Sequence, residues 1–153
     1  MSAAERYDLF AVASFGGHWE QLLALAPAWN GRRCLLITTP GGGIAGSNES
    51  DLRVVADCHA GQVLPAARCL AQLTALFARH RPRSVITTGA LPGLLALGLA
   101  RGFGARAIWV DSLANAETLS TSGRHARRIA HHHFSQWPDV AKRERSEYAG
   151  SLF

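Results

Sequence analysis

The chain contains 153 residues, which fits a single domain, because domains most often contain about 100–150 residues. Apolar residues make up 48% and charged residues 18% of the sequence, a globular composition that excludes an intrinsically disordered chain. The net charge is +5, and Lys142 is the only lysine among 16 lysines and arginines. Arginine suits phosphate groups and anionic lipid headgroups, although fully solvated side chains explain the bias as well.

The cysteines and the apolar pattern predict a cytosolic chain. Cys34, Cys58 and Cys69 are odd in number and lack C-x-x-C spacing, so we expect buried thiols in a reducing compartment and not a disulfide framework or a zinc ribbon. Residues 1–8 are polar and do not form a signal peptide. The apolar stretch 85–100 is interrupted by glycines and a proline, so it predicts a buried strand, turn and helix, since a membrane span needs about 20 predominantly apolar residues.

Strands and helices are predicted to alternate along the whole chain. The predicted strands are Tyr7–Ser14, Arg33–Thr39, Arg53–Asp57, Ser84–Thr88, Ala105–Asp111 and His132–Gln136. The predicted helices are Trp19–Trp29, Ala66–His80 after Pro65, and Pro92–Arg101, followed by a loop over Ser112–Ser122, a basic segment over Arg124–Ile129 and a polar tail from Trp137. This alternation predicts an α/β fold, a Rossmann-like doubly wound parallel sheet with right-handed crossovers.

Three turns are predicted to form the functional site. In open α/β sheets, ligands bind at the carboxyl ends of the strands, near the point where the strand order reverses. If the strand order is 3-2-1-4-5, the turns after the first, fourth and fifth strands are neighbours. These turns are Ser14–His18, Thr87–Ala90 and Asp111–Asn115, and their candidate ligand-binding residues are Ser14, Gly16, Gly17, Thr88, Gly89 and Ser112.

The first of these turns is the most informative. Gly16 and Gly17 allow the backbone to approach a ligand closely, and their amides, together with the following helix N-terminus, form a natural anion cradle. His18 is then placed beside the ligand. A polar cap residue without a chemical role remains the alternative interpretation of His18.

Two glycine-rich segments and one histidine cluster are weaker signals. Gly41–Gly46 matches G-x-G-x-x-G but leads into a polar loop, so we interpret it as a loop, and Gly102–Gly104 as a helix C-cap. His131, His132 and His133 alternate between two faces of a strand, so at most two could share an ion, and no metal site is predicted. The arginines of Arg124–Ile129 follow a run of hydroxyls, which is consistent either with a phosphate clamp or with a solvated helix start.

Several motifs occur together in an order that resembles a known family. They are Gly16-Gly17-His18, Thr87-Thr88-Gly89 ahead of Pro92, Asp111–Ala114, Leu119–Arg124, Phe134–Pro138 and Tyr148–Phe153. The set resembles the acceptor-side subunit of split GT-B glycosyltransferases. That family includes the membrane-recruiting subunit of the eukaryotic enzyme that adds the second N-acetylglucosamine to a dolichol-linked sugar, and PssD-type bacterial subunits of capsule and exopolysaccharide synthesis.

The resemblance implies one domain over residues 1–153, equivalent to the N-terminal half of a GT-B glycosyltransferase, with residues 137–153 as a tail that docks the partner. It implies an inverting transfer, without metal or cofactor, from a nucleotide sugar to a polyprenyl-diphosphate-linked acceptor. The nucleotide-sugar-binding half is then a separate subunit. The implied base is His18 or, second, Asp111; further implied substrate-binding residues are Ser120, Ser122, Gly123 and Arg124, and partner-binding residues are Trp137, Tyr148, Leu152 and Phe153.

The sequence also departs from this family. Similar proteins usually have Glu in place of Asp111 and often have Arg in place of Asn115, and the eukaryotic members carry an N-terminal anchor that this sequence lacks. The chain therefore looks like a bacterial form, expected in the cytoplasm and in peripheral contact with anionic lipid at the inner face of the cytoplasmic membrane.

Two other classes of protein are consistent with the sequence. A small nucleotide- or dinucleotide-binding oxidoreductase domain is the first, although Ser14–His18 lacks the glycine spacing of a dinucleotide fingerprint. A nucleic-acid-binding module is the second, and only the pI of about 9.9 favours it. Aromatic residues do not interleave with the arginines and no helix collects basic residues on one face, so no nucleic acid is expected as a partner.

Overall fold

The computed structural model describes residues 6–41 and 51–153. These residues form one α/β domain around a six-stranded sheet with the order β3-β2-β1-β4-β5-β6, and every strand pair is parallel. The predicted order is thereby confirmed, and the sixth strand extends it at one edge. The strands are β1 (Leu9–Val12), β2 (Cys34–Thr38), β3 (Leu52–Val54), β4 (Ser84–Thr87), β5 (Arg106–Val110) and β6 (His132–Phe134).

The helices lie on both faces of the sheet, as a doubly wound fold requires. Helices α2, α3 and α4 pack side by side on one face, whereas α1 packs against β1 from the other. Right-handed crossovers explain this division, because connections that run toward β3 and toward β6 leave the sheet on opposite sides. The helices are α1 (Gly17–Ala24), α2 (Val63–His80), α3 (Ala90–Gly102), α4 (Thr121–Ala126) and α5 (Pro138–Glu144).

Two hydrophobic clusters fill the space between these layers. The larger cluster joins the sheet to α2 and α3, and Trp109, Phe10 and Phe77 are among its fully buried side chains. The smaller cluster joins the sheet to α1 through Trp19 and Leu22. Every residue of β1 is buried, which agrees with the continuous apolar run that predicted a central strand.

Several predicted element boundaries are wrong, for local reasons. The first helix ends at Ala24 and continues only as a 3-10 turn over Ala26–Trp29, because Pro27 lacks the amide that an α-helix needs. The second helix begins at Val63, since Pro65 is tolerated within a first turn. The predicted polar tail contains α5, which Pro138 opens. Smaller differences affect the third and sixth strands, which end at Val54 and Phe134, and the third helix, which begins at Ala90. The short helix α4 begins at Thr121, where the end of a loop was predicted.

The remaining structural predictions have mixed outcomes. Gly104, with φ of 75°, follows α3 and supports the predicted C-cap, whereas the segment after Gly41 lies outside the described residues. Cys58 and Cys69 are buried and Cys34 is half-buried, and all three are free thiols. Within 6–41 and 51–153, none of the helices has both the length and the apolar character that crossing a membrane requires.

Candidate functional site

The predicted turns after β1, β4 and β5 meet at the carboxyl edge of the sheet. Strand order reverses between β1 and β4, so the turns after these two strands flank the switch point. The first two turns touch directly, since Thr88 Oγ donates to the carbonyl oxygen of His18 at 2.5 Å. The third turn is joined to α1 through Gln21, whose side-chain amide contacts both Ser112 and Leu113. Residues far apart in sequence therefore form one continuous surface.

His18 is held in an orientation that suits a general base. Its Nδ1 lies 3.1 Å from the carbonyl oxygen of Thr88, and because a carbonyl only accepts, Nδ1 carries the proton. In the neutral ring, the unprotonated nitrogen is then Nε2. The ring is half-buried beside Gly16 and Gly17, where an added Cβ would meet no atom within 4 Å. The turn thus leaves open space for a ligand next to a nitrogen that can accept a proton.

The turn after β4 is strained and closely packed against this histidine. A Cβ on Gly89 would lie 2.6 Å from both Cε1 and Nδ1 of His18, and the φ of Gly89 is +142°, so glycine is required there. The next residue, Ala90, also has a positive φ, of 67°, which is uncommon for a residue with a side chain. Strain of this kind persists only where surrounding contacts impose it, and it is frequent at functional sites.

Asp111 occupies the centre of a hydrogen-bond network and is only 1% exposed. Its Oδ1 accepts from Trp109 Nε1 at 3.0 Å and from Ser120 Oγ at 2.8 Å. Its Oδ2 accepts from Asn115 Nδ2 at 3.1 Å and from the Ser120 amide at 3.2 Å. Both carboxylate oxygens are therefore engaged by the protein, a geometry that favours positioning of the 112–120 loop; the catalytic role that we expected second for Asp111 stays a prediction.

The serine-glycine segment after this loop forms the start of α4. Ser120 is its N-cap and accepts from the Gly123 amide at 2.9 Å. A Cβ on Gly123 would lie 2.4 Å from Asp111 Oδ1, so only glycine fits. Ser122 is half-buried. Arg124 is exposed, and its guanidinium donates a hydrogen bond to Thr118 Oγ at 2.9 Å. Three of the predicted ligand-binding residues, Ser120, Ser122 and Gly123, thus lie in a segment that is hydrogen-bonded to Asp111. The fourth, Arg124, is solvent-accessible.

His133 is hydrogen-bonded to the start of α4. Its Nε2–H donates to the carbonyl oxygen of Gly123 at 2.8 Å, and its Nδ1 accepts from Ser146 Oγ at 2.8 Å. Burial lowers the pKa of His133, and the charge of Arg127 lowers it further against the opposing effects of the Gly123 carbonyl and Asp111. The neutral imidazole is therefore the form that this fold stabilises.

Two buried glutamines, which sequence reasoning missed, connect the site to the tail. Gln21 is 9% exposed and Gln136 is 3% exposed. Gln21 donates to Ser112 Oγ at 3.1 Å and accepts from the Leu113 amide at 3.0 Å. Gln136 donates to Gln21 Oε1 at 2.8 Å and to the Asp111 carbonyl at 3.0 Å, and accepts from the Leu152 amide at 3.0 Å. The Gln136-Trp137-Pro138 motif could have indicated that Gln136 belongs to the site. No pattern within α1 marks Gln21 in the same way.

The predicted partner-binding residues lie at the surface. Trp137 is 36% exposed and donates from Nε1 to the Leu113 carbonyl, while Tyr148 and Phe153 are 50% and 74% exposed. Leu152 is half-buried. The tail residues 149–152 line an apolar groove of about 240 Å³ against the sheet face opposite α3. The docking role of these residues stays a prediction.

The histidine cluster does not form a metal centre. His131 is exposed, His132 is half-buried and pairs with Glu147 at 3.2 Å, and His133 is buried, so the three side chains have separate surroundings. Across the described part of the chain, no group of three or more His, Cys, Asp or Glu side chains is arranged to hold a metal ion.

Comparison with known proteins identifies the fold. No family model matches the sequence, and no curated protein matches it. Among solved structures, MurG of Acinetobacter baumannii matches with a TM-score of 0.68 and 14% identity over 94% of this chain and 43% of that one. UDP-N-acetylglucosamine 2-epimerase of Rickettsia bellii matches with a TM-score of 0.71 and 9% identity over 97% and 46%. The corresponding epimerase of Methanocaldococcus jannaschii matches with a TM-score of 0.63 and 13% identity over 89% and 41%.

The chain spans less than half the length of these solved structures. At such identities the likeness concerns the fold alone. The prediction of a single Rossmann-like α/β domain, equivalent to one half of a GT-B protein, is confirmed.

Proposed function

We propose that this chain is the acceptor-side subunit of a two-component inverting glycosyltransferase. The orientation of His18 carries the proposal: in the neutral ring the Thr88 carbonyl holds the proton on Nδ1, which leaves Nε2 able to act as a base. The chain also shares its fold with part of MurG, at a TM-score of 0.68. The donor would be a nucleotide sugar held by a separate subunit, and the acceptor a polyprenyl-diphosphate-linked sugar.

The chemistry of the transfer requires a base and an anion site, and the first turn supplies candidates for both. His18 Nε2 takes the proton from the acceptor hydroxyl, whose oxygen forms a bond to the anomeric carbon as the bond from that carbon to the nucleoside diphosphate breaks. The amides of Gly16 and Gly17, at the start of α1, face the acceptor diphosphate. Ser14, Ser112, Ser122 and Arg124 lie on or near the same edge and complete the proposed acceptor site.

The turnover of the complex tests this role. Co-expression with the nucleotide-sugar-binding subunit should give transfer to an undecaprenyl-diphosphate-linked sugar, and the single chain should give little or none. His18→Ala in the complex should lower kcat by about 10²–10⁴-fold, as loss of a general base does. The matched control is His59→Ala, because the side chain of His59 is 73% exposed.

Three results would contradict the proposal. An unchanged rate for His18→Ala would reduce His18 to a structural cap. Robust turnover by the single chain would remove the need for a partner. Tight binding of NAD or NADP would instead favour a dinucleotide-binding oxidoreductase domain.

The C-terminal tail is the proposed docking segment for the partner. Tyr148 and Phe153 expose large apolar surfaces, and the tail is anchored by the Leu152 amide on Gln136. Deletion of residues 148–153 should abolish co-purification of the partner, whereas Phe103→Ala, at a distant exposed aromatic residue, should not. Undiminished co-purification after the deletion would place the interface elsewhere.

The proposed membrane contact lies on α2, at the same edge as the site. Val63 and Leu64, in its first turn, are 78% and 82% exposed, and Phe15 beside Gly16 is 55% exposed. Helix α2 carries Arg68 and Arg79 but no carboxylate, a pattern that suits an anionic lipid surface. A membrane here would present a lipid-linked acceptor directly to the first turn.

Co-sedimentation with vesicles of phosphatidylglycerol and phosphatidylcholine tests this contact. Leu64→Ser should lower the bound fraction, while Leu70→Ser, which alters a less exposed residue two turns along the same helix, should lower it less. Equal effects of the two substitutions, or none, would contradict a contact through the first turn.

A further inference from the structure

A basic pocket lies at the amino edge of the sheet, opposite the candidate site. Arg83 precedes β4, Arg101 lies in the last turn of α3, Arg106 begins β5 and His131 precedes β6. Together with Gly104 and Ala105 these residues line a recess of about 460 Å³. Parallel strands begin at one edge, which explains why residues separated by up to two strands and two helices converge there.

No carboxylate among residues 6–41 and 51–153 forms an ion pair with the arginines of this pocket. Arg83, Arg101 and Arg106 are all exposed, and none of the ion pairs formed among the described residues includes them. Glu147 lies nearby but pairs with His132. Partial desolvation, followed by the charges of Arg101, Arg106 and His132, lowers the pKa of His131. Within the described part of the chain, the cationic groups of the pocket therefore have no ion-pair partner.

The ring of His131 adds an unsatisfied donor to this set. The Ala107 amide donates to its Nδ1 at 2.9 Å, so in the neutral ring Nε2 carries the proton. Yet Nε2 lies 2.6 Å from Arg101 Nη1, which is also a donor. The opposite tautomer only moves the conflict to the Ala107 amide. Two donors, Arg101 Nη1 and His131 Nε2, therefore face each other in the pocket without an acceptor between them. An oxyanion would supply that acceptor.

We propose that this pocket binds a phosphate group. Arginine forks make bidentate contacts with phosphate oxygens, and the His131 N–H adds a third donor. The recess is larger than one phosphate, which leaves room for the molecule that carries it. This site is separate from the proposed acceptor site, and its ligand can be the phosphate of a soluble molecule or of a lipid headgroup.

An NMR titration of the His131 ring in the full chain tests the proposal. In sodium phosphate the pKa of His131 should be higher than in sodium chloride of equal ionic strength, because a bound anion favours the imidazolium. The difference between the two salts should vanish in R101Q/R106Q. It should persist in R128Q/K142Q, which removes the same charge from exposed residues outside both the pocket and α2. Equal pKa values in both salts, or a difference that survives R101Q/R106Q, would overturn the proposal.

A second measurement identifies the source of the phosphate. If a lipid headgroup is the ligand, R101Q/R106Q should reduce co-sedimentation with phosphatidylglycerol vesicles at least several-fold more than R128Q/K142Q does. If a soluble phosphate is the ligand, both double variants should sediment alike while the salt-dependent pKa shift of His131 is still lost in R101Q/R106Q. Neither readout depends on sugar transfer, so failure here is distinguishable from failure of the glycosyltransferase assignment.

Discussion

The substitution Asp111→Asn distinguishes a positioning carboxylate from a catalytic one. Each carboxylate oxygen of Asp111 accepts two hydrogen bonds, from Trp109 and Ser120 on one side and from Asn115 and the Ser120 amide on the other. An amide has a single acceptor oxygen, so its NH₂ group must face two former donors. Ser120 Oγ and the Asn115 amide can each turn to accept, but the Trp109 indole and the Ser120 backbone cannot.

The cost follows from the number of bonds lost. In either orientation of the new amide at least one fixed donor is left facing another donor, and the charge that strengthened all four bonds is gone. Hydrogen bonds to charged groups contribute about 1.5–3 kcal/mol each, so the loss of one or two predicts a decrease of about 3 kcal/mol in the free energy of unfolding. With a urea dependence of about 2 kcal/mol per molar, the midpoint should fall by about 1.5 M.

Urea unfolding monitored by circular dichroism provides the measurement. The control is Asp139→Asn, the same chemical change at an exposed residue in the first turn of α5, which should alter the free energy of unfolding by about 0.5 kcal/mol or less. If Asp111→Asn unfolds at the wild-type urea concentration but transfer by the complex is lost, the carboxylate acts in catalysis and the positioning argument is wrong.

Three further predictions follow from the contacts of other residues. Gly89→Ala should displace the His18 ring, because the added Cβ would lie 2.6 Å from it. We expect a shifted NMR resonance of the His18 ring and a transfer rate near that of His18→Ala. An unperturbed His18 ring would contradict the close approach of Gly89 to this ring. Burial raises the pKa of Cys34 and Cys69 to about 12, so at pH 8 a thiol reagent should label them slowly until urea unfolds the chain. The fold lowers the pKa of His133 below its ordinary value of 6.5. As the pH falls below 6.5, the unfolded state therefore takes up a proton on His133 before the folded state does. The free energy of unfolding should then fall with decreasing pH, by at most about 1.4 kcal/mol per pH unit for this group. Replacing His133 with Gln should remove that slope from the pH profile, and an unchanged profile would contradict it.

The sheet and its site edge could be predicted because their signals are local. A continuous apolar run such as Leu9–Val12 indicates a strand buried on both faces, and glycine-rich turns after such strands indicate the ligand-binding edge. The common 3-2-1-4-5 strand order, taken as a condition, then makes the turns after the first, fourth and fifth strands neighbours. Under that condition, the sequence places His18 and Thr88 at one edge of the sheet.

Long-range polar contacts could not be predicted, because nothing in the neighbouring sequence marks them. Gln21 follows Glu20 in α1 and would be interpreted as solvent-facing, yet its amide is buried against residues 91 and 115 positions later in the chain. The helix α5 was missed for a related reason: its sequence is polar and short, and only Val140 and Ala141 are buried. Its position depends on packing that the local pattern does not encode.

The choice of glutamine at both buried positions has a physical explanation in the contacts that each must satisfy. The Nε2 group of Gln21 donates to Ser112 Oγ, and its Oε1 accepts from both the Leu113 amide and the side chain of Gln136. A leucine there would leave the half-buried Leu113 amide without this partner and would remove the bonds to Ser112 and Gln136. Gln136 continues the same chain of bonds to the Leu152 amide. The loop after β5 and the C-terminal tail therefore share one hydrogen-bond network, and a displacement of the tail changes the groups that hold residues 112 and 113 beside the candidate site.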